Sequence, residues 1–194
     1  MFVANKVAVM ITDYLYRNKA IDEGHKDIYI YGFEICISNV INFCLIMGLG
    51  LILREVINSI LFYVVFVVTR SFSGGYHAGT YLKCNVLFTV IFLTTILFTK
   101  VMTPFMSLVY LLIFLAIYIG CIIEYAPIDS ENKKLTKENK IKFKKISVSI
   151  SLVWTVIITI LYLTAREYAT TITLTLVMIA MLMLVEVNKR RENY

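Results

Sequence analysis

Charge is scarce in this chain. Asp, Glu, Lys and Arg make up 16% of its 194 residues, against about a quarter in an ordinary soluble domain. So small a supply cannot cover a water-facing surface. Proline is rarer still, with two residues, and glycine stands at eight. Apolar stretches with so few breakers, and with little alternation of polar and apolar residues, exclude a membrane β-barrel. The four cysteines include no CxxC pair and no zinc-ligand spacing, which excludes a zinc or disulfide framework. A phosphate-binding glycine motif, HExxH, GxSxG and internal repeats are all missing. No metal or other cofactor is expected.

What is abundant is apolar. Hydrophobic residues are 59% of the chain. They gather into six runs: Phe33 to Leu53, Val56 to Thr69, Asn85 to Thr99, Phe105 to Ile123, Ile146 to Ala165 and Tyr168 to Val185. A helix rising 1.5 Å per residue needs about twenty such residues to cross a hydrocarbon layer of about 30 Å. The fold class is therefore an all-α polytopic membrane protein with about six transmembrane helices. The second and third runs, at about fourteen or fifteen residues, fall short of the usual minimum of about seventeen. They are expected either to tilt into flanking polar sequence or to form a re-entrant hairpin.

Residues 1–32 are a mixed leader. Val3, Val7, Met10, Ile11 and Tyr14 recur there at helical spacing, while Lys6, Asp13 and Arg17 fall mostly elsewhere. That pattern predicts an N-terminal amphipathic helix at the membrane interface. The leader is expected to be retained, since no basic start precedes a compact apolar core with a cleavage site. Residues 33–194 then form a single helical transmembrane domain, with a polar segment at 70–84 and a basic loop at 124–145.

Lys and Arg resist translocation and collect on the cytoplasmic side. With six spans, all of the 19 Lys and Arg except Arg54, Lys100 and Arg166 fall on one side. Both termini, the 70–84 segment and the basic loop are thereby expected in the cytoplasm of a multi-pass cell-membrane protein. The net charge of +6 follows from topology and attraction to anionic lipids. Nucleic-acid binding is not expected.

The 70–84 segment reads Arg70-Ser71-Phe72-Ser73-Gly74-Gly75-Tyr76-His77-Ala78-Gly79-Thr80-Tyr81-Leu82-Lys83-Cys84. Cys36, Cys44 and Cys121 lie inside apolar runs, where helix packing accounts for them. Cys84 instead shares a membrane-edge segment with His77, one of two histidines. A thiolate can attack a carbonyl, and an imidazole can take the thiol proton and return it to a leaving amine. Seven residues apart on one continuous helix, the two groups would share a face but stand about 10 Å apart along the axis. Pairing within one chain therefore requires a helix break between them, with Gly79 the expected place; otherwise they pair across a homodimer. Gly74 and Gly75 are candidate oxyanion donors through their backbone N–H groups, and Arg70 is a candidate holder of a substrate carboxylate or carbonyl. Asn85, Ser73 and Asp129 are each candidates for a third group orienting His77.

The segment Arg70…Gly74-Gly75-Tyr76-His77-Ala78…Cys84, with a second at Tyr125-Ala126-Pro127-Ile128-Asp129 and Asn132-Lys133-Lys134-Leu135, resembles the accessory gene regulator protein B family. The chain departs from that pattern at Lys134, where proline is expected before the leucine. The resemblance implies a membrane cysteine endopeptidase that processes the precursor of a cyclic quorum-sensing peptide, with His77 and Cys84 as its catalytic pair. It implies cleavage toward the C-terminal part of the propeptide through a Cys84 thioester, followed by thiolactone or lactone closure. The implied partner is a short propeptide with an amphipathic head and an acidic tail. A different class of function, a noncatalytic multispanning exporter or scaffold for a peptide, would use the same spans without Cys84 as nucleophile.

Overall fold

The computed structural model describes residues 2–75, 81–128 and 136–192. Its α-helices are α1 (Phe2–Arg17), α2 (Lys26–Leu53), α3 (Val56–Ser73), α4 (Tyr81–Met102), α5 (Leu108–Tyr125), α6 (Lys137–Thr164) and α7 (Arg166–Glu192), with one 3-10 turn at Glu23–His25. Helices α2 to α7 are the six that are long and apolar enough to cross a membrane. Among the described residues there is no strand. The chain is an all-α, multi-pass membrane protein.

The two spans expected to be short are full length. α3 has 18 residues and α4 has 22, which at helical rise is about 27 Å and 33 Å. Arg70 to Ser73 extend α3 beyond its apolar run, and Tyr81 to Cys84 open α4 ahead of its own. Backbone hydrogen bonding continues where hydropathy stops. α2 likewise starts at Lys26, ahead of its apolar run, and α1 folds back along that polar beginning. Asn5 Nδ2 donates to Glu34 Oε1 at 2.6 Å, and Lys26 Nζ meets Asp13 Oδ1 at 3.2 Å. Ala8 and Thr12 are buried against α2, whereas Met10 and Tyr14 face outward.

The bundle is organised around α7, which packs against α3, α4, α5 and α6. Its buried residues mix apolar and small polar side chains: Ile172, Leu176 and Met183 are buried, and so are Thr170, Thr171, Thr173 and Thr175. Thr173 and Thr175 donate to the carbonyls of Ala169 and Thr171 at 2.8 and 2.7 Å. Thr170, Thr173 and Thr175 are satisfied within their own helix and Thr171 reaches across to Asn58, so these small residues let neighbouring backbones approach without an orphaned group. The outside is the reverse, with Leu163, Ile52 and Phe105 among many exposed apolar side chains, a surface suited to hydrocarbon. Between α3 and α4, Phe62, Phe66, Phe88 and Phe92 pack with ring centroids 4.9 to 5.5 Å apart.

At the end where α3 begins, α2 turns directly into it. Arg54 caps α2 in the left-handed region, and Glu55 N–H donates to Gly50 O at 2.8 Å. A side chain on Gly50 would collide with Ser59. A polar network closes this end: Lys100 Nζ lies 2.9 Å from Glu55 Oε1, and Asn58 Nδ2 donates to Glu55 Oε2 at 2.7 Å and Glu167 Oε1 at 2.6 Å. Thr171 Oγ1 donates to Asn58 Oδ1 at 2.8 Å. Burial alone would raise the carboxyl of Glu55, but hydrogen bonds from Lys100 and Asn58, with the Lys100 charge, hold it below its usual range. A depressed carboxyl stabilises the fold above its unfolded value, near 4.3, and that contribution is lost as pH falls through the lowered value. Because the Lys100 side chain is 51% exposed, the expected loss is at most about 1 kcal/mol. Thermal unfolding in detergent at pH 7 and pH 3 checks this: Glu55→Gln is expected to melt lower than the parent at pH 7 and to close most of that gap at pH 3.

Candidate active site

The site lies at the opposite end, where α3 and α7 finish and α4 begins. Trp154 Nε1 donates to Thr69 Oγ1 at 3.0 Å, tying α6 to α3 one residue before Arg70. The buried Tyr118 hydroxyl, 2.9 Å from Ser151 Oγ, braces α5 against α6 beside it. Arg70 therefore leaves a well-anchored turn. Its guanidinium carbon lies 5.4 Å from the Phe66 ring centroid. The guanidinium lies within electrostatic reach of Cys84 and of Glu186 on α7. Glu186 is 5% exposed and receives Arg190 Nε at 2.9 Å.

Cys84 is in the first turn of α4 and half-buried. Its neighbour Asn85 accepts from Ser38 Oγ at 3.1 Å, fixing α4 to α2. The positive end of a helix and the charge of a guanidinium thus both lie near one sulfur, where each favours negative charge.

The helical path from Arg70 does end before Cys84. α3 stops at Ser73, and Gly74 and Gly75 both have positive φ, 74° and 139°. Gly74 N–H donates to Arg70 O at 3.0 Å, so of the two amides expected to face an oxyanion this one is committed to ending the helix. Its second task is packing: a side chain there would strike the carbonyl oxygen of Ile128. Ile128 N–H donates to Ser73 O at 2.9 Å, and the Ala126–Pro127 peptide before it is cis. The two short motifs thus meet in space. Gly75 is buried, its missing side chain leaving room 3.7 Å from Arg70 Nε and 4.0 Å from Met183 Cγ.

His77, Gly79 and Asp129 lie outside the described residues. Of the other two candidates for orienting His77, Asn85 is bound to Ser38, and Ser73 Oγ donates weakly to Gly74 O at 3.3 Å. Among the described residues no three His, Cys, Asp or Glu side chains converge as metal ligands. Sequence reasoning missed Glu186 and Thr69. The one signal for Glu186 was a carboxylate just past the last apolar run, four residues before Arg190 on one helix face.

A family model described as accessory gene regulator B matches residues 8–184, nearly the whole chain. No curated protein and no solved structure matches it. The family match spans the anchoring helices as well as both motifs that pack against each other at the Arg70–Cys84 site, and the chain belongs to the accessory gene regulator B family, which takes part in processing a quorum-sensing peptide.

Proposed function

We propose that this protein is a membrane-embedded cysteine endopeptidase acting on a quorum-sensing propeptide. The placement of Cys84 in the first turn of α4, at the positive end of a helix and within electrostatic reach of the Arg70 guanidinium, carries the reading. In the reaction, His77 takes the Cys84 proton and the sulfur attacks the scissile carbonyl carbon. The tetrahedral oxyanion collapses, the C–N bond breaks, and the departing amine takes the proton from His77. A thioester joins the N-terminal part of the peptide to Cys84. A Cys or Ser side chain of that peptide then attacks the same carbonyl, closing a thiolactone or lactone and returning the thiol.

Exclusion of water favours closure over hydrolysis, and the bundle's apolar exterior supports such surroundings for the site. The basic residues in the first part of α6 and at the α7 end lie at this same end, which supports a cytoplasmic placement of the site and both termini. They also supply charge for anionic lipids and for the acidic tail of the propeptide. The experiment is covalent trapping. Full-length protein in lipid vesicles is mixed with a short propeptide that has an amphipathic head, a Cys- or Ser-containing middle and an acidic tail, quenched in acid and analysed by mass spectrometry. The expected result is a thioester on Cys84 with the mass of the N-terminal fragment; cleavage with no adduct on Cys84 at any time would overturn the mechanism.

A further inference from the structure

We infer that the cavity at the α2–α3 turn is a headgroup site for a phospholipid that carries a phosphodiester and a primary ammonium, as phosphatidylethanolamine does. The cavity has a volume of about 570 Å³, inside the range of about 300–1,000 Å³ usual for sites that hold small molecules. It lies at the end of the bundle away from Cys84, where α2 passes into α3 and α7 begins. Its wall is chemically divided. Arg54 stands on one part, Glu167 on another, and Leu51, Val56 and Ile57 supply an apolar border.

The cation is available. Lys100, in the adjoining network, is engaged with Glu55 at 2.9 Å, and the Arg166 guanidinium lies over the Tyr162 ring, 5.0 Å from its centroid. Arg54 is exposed, and among the described residues its guanidinium has no ion-pair partner. It holds the left-handed position that ends α2, with φ 60° and ψ 34°, a place usually given to glycine. Its backbone N–H caps the helix by donating to Leu51 O at 3.2 Å, which leaves the guanidinium fork for a phosphate.

The anion is available too, and it is fixed. Thr171 Oγ1 donates to Asn58 Oδ1 at 2.8 Å, and Asn58 Nδ2 donates to Glu167 Oε1 at 2.6 Å. Asn58 is 3% exposed, so a buried chain holds one oxygen of a carboxylate whose residue is exposed. The other oxygen has no partner among the described residues. A primary ammonium can donate to it, whereas a trimethylammonium has no N–H to give. Glu55 is already engaged at both oxygens, by Lys100 and Asn58. The border selects a lipid over a soluble zwitterion. Leu51, Val56 and Ile57 are exposed apolar side chains at the ends of two spans, where an acyl chain lies beside them while its headgroup sits in the cavity.

A purely structural role is the competing account, in which the polar residues only close this end and Arg54 reaches toward any surface phosphate. Lipid retention separates the two. Full-length protein in mild detergent is given equal amounts of phosphatidylethanolamine, phosphatidylcholine and phosphatidylglycerol with matched acyl chains, and bound lipid is counted by native mass spectrometry. Phosphatidylethanolamine is expected to be retained about fivefold more than either of the others. Glu167→Gln, which keeps an oxygen for Asn58, is expected to bring it within about twofold of phosphatidylcholine. Arg54→Gln should lower its retention about fivefold, whereas Arg191→Gln, at the other end of the bundle, should leave it within about twofold of the parent. About a hundredfold excess of glycerophosphoethanolamine, the same headgroup without acyl chains, should displace little of the lipid.

Equal retention of the three lipids by the parent, or a preference that survives Glu167→Gln, overturns the proposal. Displacement by glycerophosphoethanolamine overturns the lipid as occupant and assigns the cavity to the free headgroup. Equal losses in Arg54→Gln and Arg191→Gln reject a site in favour of general surface attraction. Melting temperature is read on every variant. If Glu167→Gln has lost its fold, Arg54→Gln and Arg54→Lys decide in its place: loss in the first with partial recovery in the second supports the site, and unchanged retention in the first rejects it. None of these measurements uses Cys84 or a precursor, so the result is independent of the protease reading.

Discussion

Cys84→Ala is expected to abolish release of the C-terminal part of the precursor, lowering the rate by about a thousandfold or more. Removing the sulfur removes the atom that would carry the acyl group, and no other described cysteine shares its setting: Cys36 and Cys44 are exposed along α2, and Cys121 lies within α5. The fold should tolerate the change. Cys84 is half-buried, and the bonds fixing its neighbourhood, Ser38 to Asn85 and Trp154 to Thr69, do not use the sulfur. Deleting one partly exposed atom costs about 1 kcal/mol or less, so the melting temperature in detergent should move by only a few degrees. Cys84→Ser keeps a small polar group in place but presents a much poorer nucleophile, and is expected to lose at least about a hundredfold. Cleavage is followed by mass spectrometry in vesicles with no energy source. An alanine variant that cuts within tenfold of the parent would end the nucleophile reading, and intact peptide carried across by that variant would establish transport.

The spans were legible because hydrocarbon imposes a length, and six apolar runs became α2 to α7. Their ends were not, since hydropathy reports solvation while a helix ends where its backbone finds other partners. Ser73 and Cys84 are polar and still helical. Arg70, Gly74, Gly75 and Cys84 stood out as residue types in one short segment. Their actual partners did not, because Ile128 and Glu186 reach that segment through helix packing, and contacts between distant helices leave no spacing in the chain. The Phe66 to Thr69 turn reads as ordinary apolar sequence, yet Trp154 anchoring at Thr69 is what aims Arg70. The Thr-rich face of α7 was equally silent: the same residues would suit a polar exterior, and only the observed packing puts them at the centre.

Gly74→Ala is expected to disable the site by a different route, costing about 3 kcal/mol or more of stability. Two penalties coincide there. The backbone sits at φ 74° and ψ −157°, a region essentially reserved for glycine. The added methyl would also strike Ile128 O, with the carbonyl carbon and the amide nitrogen of Ile128 each 3.1 Å away. Those are backbone atoms, and no rotamer change moves them aside. Ile128 is further pinned by its N–H to Ser73 O, so relief requires lifting the α5–α6 connection off the end of α3. The expected signature is protease cutting near Ile128 together with loss of precursor cleavage, while the six spans persist by circular dichroism. Gly75→Ala is the internal comparison. It shares an unfavourable positive φ, but its nearest neighbours are side-chain atoms of Arg70 and Met183 at 3.7 and 4.0 Å, which leaves strain without collision. Gly120→Ala meets nothing within 4 Å and lies inside α5, where alanine is the better helix former by about 1 kcal/mol. Melting temperatures should therefore rank Gly120→Ala highest, Gly75→Ala lower and Gly74→Ala lowest. If Gly74→Ala melts with the parent and resists protease at Ile128, the two motifs do not pack as described and the site must be assembled some other way.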